Sequence, residues 1–236
     1  MRTSLFKCND VCYHRANVKI VSVGGGLGYG ALGASHHATE DIAVLRALPG
    51  MIVVAPGDPM EAAMATRAVA SWPGPAHLRL GRSGEPIVHA EDIDFQIGKA
   101  IRVMDGGDIT LIATGTMLHT AVRAAQSLSR DAIAARVLSM HTIKPLDVDA
   151  IYAAARETSA IIAIEEHSII GGLGSAVAEV LAEFSDCHVP FKRVALPSAF
   201  TPFAGSREFL RECYSLSVDG IRDSVVQMLE PTRSHR

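Results

Sequence analysis

Short runs of β-branched and aliphatic residues recur at 18–23, 52–55, 76–80, 109–113, 134–138, 160–164 and 191–195, and most gaps between them carry apolar residues at helical spacing. Apolar runs of this length, bounded by glycine and proline, read as buried strands of a parallel sheet, and their alternation with amphipathic helices predicts an α/β fold. Helices are predicted over 39–48, 59–71, 116–128, 148–156, 172–184 and 217–229. Pro59 suits a first helical turn, with Asp58 before it as the N-cap.

A polar segment from Gly84-Glu85-Pro86 to Glu91-Asp92-Ile93-Asp94 interrupts the alternation, which restarts at Gly98-Lys99-Ala100. The pattern therefore predicts two doubly wound domains, at residues 1–90 and 98–230, with a linker at 91–97 and a tail at 231–236. The first contains three clear strands, a thin core for a sheet that must be covered on both faces. It lacks a front, to be supplied by strands of a partner chain or by sequence upstream of Met1.

Composition narrows the function classes. With 48% hydrophobic and 20% charged residues in 236, the chain is a well-buried globular protein. A net charge of −3 and 5% aromatic residues leave no basic stripe or stacking surface for nucleic acid. No apolar run approaches the roughly 20 residues that span a bilayer, and the Met1-Arg2-Thr3-Ser4-Leu5-Phe6 terminus lacks a signal-peptide core, so no membrane partner and a cytoplasmic location are expected. Cys8, Cys12, Cys187 and Cys213 are few and scattered, which favours free thiols over a disulfide framework or metal site.

The candidate chemistry begins where the first strand ends. Val18-Lys19-Ile20-Val21-Ser22-Val23 runs into a loop with six glycines in the ten residues from Gly24 to Gly33, followed by Ala34-Ser35-His36-His37. Glycines let a backbone approach a ligand closely, a histidine exchanges protons near neutral pH, and loops at the carboxyl ends of parallel strands are where α/β sheets bind ligands. Gly28, Gly30 and Gly33 are the candidate cofactor-binding positions. Their spacing fits the dinucleotide fingerprint G-x-G-x-x-G, but the match starts several residues past the strand end. The next strand ends in Pro56 rather than in an acidic residue that would hold a ribose, so nicotinamide binding is rejected.

Further residues carry a family likeness. Asn9-Asp10-Val11-Cys12-Tyr13, Val18-Lys19-Ile20-Val21, the loop to Ser35-His36, Glu40-Asp41-Ile42-Ala43, Arg46-Ala47-Leu48-Pro49 and Val54-Ala55-Pro56-Gly57-Asp58-Pro59 together resemble the pyrimidine-binding domain of transketolase-like thiamine diphosphate enzymes. Leu78-Arg79-Leu80-Gly81-Arg82 resembles that domain's last core strand. Ile143-Lys144-Pro145-Leu146-Asp147 and the stretch from Ile164-Glu165-Glu166-His167 to Gly171-Gly172-Leu173-Gly174-Ser175 resemble the family's carboxy-terminal domain. The likeness runs from Asn9 to about Leu229.

The resemblance implies a cofactor, thiamine diphosphate with magnesium, bound between protomers. The G-D-G…N pattern of a diphosphate domain is missing, and in the family the activating glutamate lies upstream of the matched region. The chain is thus expected to be the carboxy-terminal subunit of a split transketolase. It would transfer two-carbon ketol units between sugar phosphates only with an amino-terminal subunit, and dimerise through its carboxy-terminal domain. His36 matches the family histidine that faces substrate and the developing oxyanion. Arg82 matches an arginine that binds the substrate phosphate, for which a forked cation is suited.

His37 reads as structural, and the resemblance assigns Glu165-Glu166-His167 to packing. His141 and Lys144 read as loop and interface residues. Two departures matter: transketolases proper carry aspartate at the position of Leu32 and histidine at that of Gly24. Their loss removes hydrogen-bonding groups for a polyol and argues against the ordinary pentose phosphates. A 1-deoxyxylulose-5-phosphate synthase-like enzyme, the β subunit of a 2-oxoacid dehydrogenase and a non-catalytic, partner-binding relic remain as alternatives.

Overall fold

A computed structural model gives the structure of residues 7–90, 92–183 and 188–233. Cys187, Phe184 at a predicted helix end and Glu91 in the predicted linker lie outside these residues, as do residues 1–6 and 234–236 of the tail. The protein is α/β, with two mostly parallel sheets. After a short helical segment, Lys7–Tyr13, the first sheet is built from β1 (Lys19–Val23), β2 (Ile52–Val54) and β3 (Ala76–Leu80), with helices α1 (Asp41–Arg46) and α2 (Pro59–Ser71) between them. The second holds β4 (Ile101–Met104), β5 (Ile109–Ala113), β6 (Ala135–Ser139), β8 (Ile161–Ser168) and β9 (Phe191–Leu196). Its helices are α3 (Met117–Leu128), α4 (Val148–Glu157), α5 (Leu173–Glu183), α6 (Arg207–Cys213) and α7 (Val218–Arg233).

The second sheet, in the order β4-β6-β5-β8-β9, is parallel except for β4. Its strands are apolar on both faces because helices cover both. Ile109, Leu111 and Ile162 pack with α3 and with Ile221 and Val225 of α7, while Ile112, Ile161 and Ala163 pack with Ile151 of α4 and Val177 of α5. All five residues of β5 are buried.

The first sheet departs from the sequence expectation. Its three parallel strands, in the order β1-β3-β2, are joined by a fourth, β7 (Thr142–Lys144), which pairs antiparallel with β2. The stretch around His141 and Lys144, expected as loop, is thus a sheet edge contributed by the second half of the chain. Lys144 Nζ donates to the carbonyls of Arg46 and Leu48 at the end of α1, fixing this strand in place. Ile143 enters the core formed by Val53, Ala55, Ile42 and Leu45. At the opposite edge, β1 pairs only with β3 among the described residues, and Val21 and Val23 are each 56% exposed. β4 and α6 were not anticipated, and α1 is shorter than the predicted 39–48.

Asp58 caps α2 as expected, accepting from the Glu61 N–H, with Pro59 in the first turn. Its other carboxylate oxygen accepts from the N–H groups of Val88 and His89. His89 Nε2 in turn lies 2.8 Å from Glu61 Oε1, which anchors the polar segment after β3 on the α2 end of the first sheet. Cys12 and Cys213 form no disulfide.

Candidate functional site

The carboxyl ends of β1 and β3 lie side by side, with Val23 opposite Leu80, and the glycine loop starts there. The N–H groups of Gly24 and Gly25 both donate to the Leu80 carbonyl, and Gly26 and Ala38 exchange two hydrogen bonds that close the loop. Gly26 has a φ of +68°, and a Cβ on it would lie 2.5 Å from Glu166 Oε1. Only glycine combines that backbone with that approach.

Glu166 is the reason. At the end of β8, its buried carboxylate accepts from the Leu27 N–H at 2.7 Å, from Arg207 Nε at 3.1 Å and from Arg211 Nε at 2.5 Å. Burial pushes this carboxyl up, but the Arg211 and Arg207 guanidiniums and the Leu27 N–H outweigh it and hold it below the usual carboxylate range. Arg207 also pairs with Glu85 at 2.6 Å and donates to the Thr116 hydroxyl. The network ties the glycine loop, the segment after β3 and α6 into one body.

The neighbouring residues are similarly engaged. Glu165 accepts from the Leu173 and Gly174 N–H groups, both at 2.7 Å, at the start of α5. His167 donates from Nδ1 to the Ser168 carbonyl, and its Nε2 accepts from the Ala43 N–H, an arrangement that suits the neutral ring. Burial and the Arg79 charge keep its pKa below the ordinary value. Arg79 binds the Asp41 carboxylate at 2.9 Å and donates to the carbonyls of Ala38 and Glu166. Glu165-Glu166-His167 thus joins the two halves of the chain.

Two clefts flank this body. One, of about 690 Å³, is lined by Gly28, Gly30, Arg82, His119, Arg207 and Arg211 among others. The other, of about 380 Å³, lies at the ends of β1, β2 and β3, between Val23, Pro56, Leu80, Gly81 and Arg82. Arg82 borders both. Among the described residues it has no carboxylate partner, and its guanidinium carbon lies 5.7 Å from the centroid of the Tyr29 ring. Arg79, three residues earlier, is held by Asp41 and by two backbone carbonyls.

The other sequence-predicted residues are distributed more widely. His36 closes a short helical turn, Ala34–His36, and is exposed, with its Nδ1 3.1 Å from the Ser35 hydroxyl. It lines neither cleft. His37 turns instead to a small hollow with Leu27, Thr39 and Leu196. Gly28 packs on the Gly24 backbone and Gly30 on Leu210 and the Gly205 carbonyl, while Gly33 has a φ of +79° with open space beside it. Sequence reasoning passed over Tyr29, Thr116, Arg207 and Arg211. The partners of the two latter arginines lie 41 to 122 residues away, and no local pattern marks them.

The sequence matches the transketolase pyrimidine-binding domain over residues 1–85 and the transketolase carboxy-terminal domain over residues 98–221. The chain belongs to the transketolase family. Among curated relatives it is 41% identical over 222 residues to one subunit of the apulose-4-phosphate transketolase of Phocaeicola vulgatus, covering 94% of this chain and 70% of that protein. It is 37% identical over 212 residues to the 6-deoxy-6-sulfo-D-fructose transketolase subunit SqwH of a Clostridium species, covering 90% and 65%. A solved structure described as a split gene transketolase, inactive beta4 tetramer, superposes with a TM-score of 0.85 at 38% identity, covering 97% of this chain and 71% of that one. Membership implies thiamine diphosphate dependence.

The residues of the transketolase-family site do not by themselves fit the whole cofactor. Among the described residues no group of three or more His, Cys, Asp or Glu side chains is placed to hold a metal ion. The carboxylates at the smaller cleft are held in place by the chain itself, Asp58 by three backbone N–H groups and Glu85 by Arg207. No described helix is long and apolar enough to cross a membrane.

Proposed function

We propose that this chain is the carboxy-terminal subunit of a split, thiamine diphosphate-dependent transketolase of the cytoplasm, transferring two-carbon ketol units between anionic sugars. It dimerises through its second half, and an amino-terminal subunit supplies the diphosphate and magnesium site, together with the carboxylate that activates the pyrimidine ring. The observation that carries the reading is Arg82, a cation without a carboxylate partner at the mouth of two clefts, at the carboxyl end of a parallel sheet. A forked guanidinium of this kind suits a phosphate or sulfonate. The names of the two curated relatives point the same way, since one substrate carries a phosphate and the other a sulfonate. His36, exposed at the end of the glycine loop, is the group proposed to meet the reacting oxygen once the partner covers that face.

The test is reconstitution. Mixed with a separately produced diphosphate-domain subunit, the chain is expected to bind thiamine diphosphate with magnesium and to transfer a ketol unit, while either subunit alone does neither. In the active mixture, Arg82→Ala should raise KM for a phosphorylated sugar far more than for its unphosphorylated analogue, because the lost pair acts on the anion and not on the reacting carbon. Turnover by the lone chain would refute the split-subunit reading. Decarboxylation of a 2-oxoacid in place of ketol transfer by the mixture would favour the synthase-like or dehydrogenase-like alternatives, and an inert mixture would favour the relic.

A further inference from the structure

We infer that Tyr29 is a positioning residue that aims Arg82 at the anionic end of the substrate. The inference rests on the assignment of Arg82 to an anion. Its first support is the contrast with the other arginines around the glycine loop: Arg79, Arg207 and Arg211 each hold a carboxylate, which fixes their guanidiniums. Arg82 holds none among the described residues, and its contact is the Tyr29 ring, 5.7 Å from centroid to guanidinium carbon. An aromatic face orients a cation without neutralising it, so the charge stays available to a ligand.

The second support is the loop itself. Gly24 has a φ of +84°, and a Cβ built on it would lie 2.1 Å from Tyr29 Cε2. The ring therefore fills the volume that a side chain at position 24 would occupy. Glycine at position 24 and tyrosine at position 29 form one unit, in which the loop gives up a side chain at the strand end and places an aromatic platform beside Arg82 instead. A Cβ on Gly28 would lie 3.0 Å from the Gly24 Cα, and this close backbone approach sets the turn that returns Tyr29 to this spot. The two glycines together seat the ring.

Inorganic phosphate is the probe, titrated into the full chain while the Arg82 side-chain Nε–H resonance is followed by NMR. The wild type is expected to show a saturable shift of that resonance. Tyr29→Leu should weaken phosphate binding about three- to tenfold, in line with the strength of a partly desolvated cation–π contact, and Tyr29→Phe should restore it. Thermal unfolding of each variant provides the control for folding. If Arg82→Gln leaves phosphate binding unchanged, the anion assignment itself fails. If Arg82→Gln abolishes binding while a folded Tyr29→Leu binds as the wild type does, the role of Tyr29 is overturned and that of Arg82 stands. Failure of Tyr29→Phe to rescue would also overturn it, because a hydroxyl contact rather than the ring face would then be at work.

Discussion

The two sheets of this protein leave different things undone. In the second, β5 is buried along its whole length between α3 and α7 on one face and α4 and α5 on the other, and β8 ends in Glu165, Glu166 and His167, all buried and all hydrogen-bonded. In the first, β1 carries Val21 and Val23 more than half exposed on an outer edge, the loop after it presents His36 to solvent, and Arg82, just after β3, has no carboxylate partner among the described residues. Parallel sheets are ordinarily covered on both faces, and open edges invite a partner. The second half is therefore a finished scaffold, whereas the first keeps both its apolar edge and its polar groups available.

The largest effect is expected at the histidines of the unfinished half. In a reconstituted enzyme, His36→Ala should lower kcat by about 10²–10⁴-fold, the usual worth of a positioned acid–base group or oxyanion donor, and His37→Ala should cost far less. Equal losses would mean that the exposed histidine has no special role. Core truncations probe the scaffold side. Leu111→Ala should destabilise the chain by about 2–5 kcal/mol in urea unfolding, because β5 cannot collapse around the lost atoms. Val21→Ala on the open edge should cost no more than about 0.5 kcal/mol. Similar costs at the two sites would remove the distinction between finished and unfinished sheets.

A further effect concerns pH. Burial raises the Glu165 carboxyl from 4.5 to about 7, although the Gly174 and Leu173 N–H donors pull it back. Between those values the folded chain holds the extra proton, so this group's stabilising contribution is complete below 4.5 and is lost as pH rises toward about 7. The loss is on the order of 3 kcal/mol at most. Urea midpoints taken at pH 5 and pH 8 should show this slope in the wild type and a flatter profile in Glu165→Gln. An unchanged slope in the variant would assign the pH dependence to other groups.

Periodicity made most of this architecture legible. The strands at 109–113 and 76–80 and the helix at 59–71 coincide with β5, β3 and α2, because short, mostly apolar stretches between turn residues, and an alanine-rich stretch opened by Asp58-Pro59, admit few other readings. β7 was hidden because Thr142-Ile143-Lys144 is too short to show a period, and its pairing with β2 is a long-range event. β4 was hidden for a related reason: Ile101-Arg102-Val103-Met104 is half exposed at an edge, where polar and apolar residues mix. At the site, the family resemblance pointed to His36 at the end of the glycine loop and to Arg82 after the strand at 76–80. It gave no sign that Glu166 would hold the loop from 139 residues away or that Tyr29 would face Arg82.

Hydrogen exchange on the chain, with and without a diphosphate-domain subunit, puts the open edge of the first sheet to the test. In the isolated chain, fast exchange is expected in β1, whose outer N–H groups find no strand partner among the described residues, beside strong protection in β5. On adding the subunit, the β1 and glycine-loop amides should slow while those of β5 stay as they were. Equal protection of β1 and β5 in the isolated chain, or no change in β1 when the subunit binds, would contradict the division into a finished and an unfinished half.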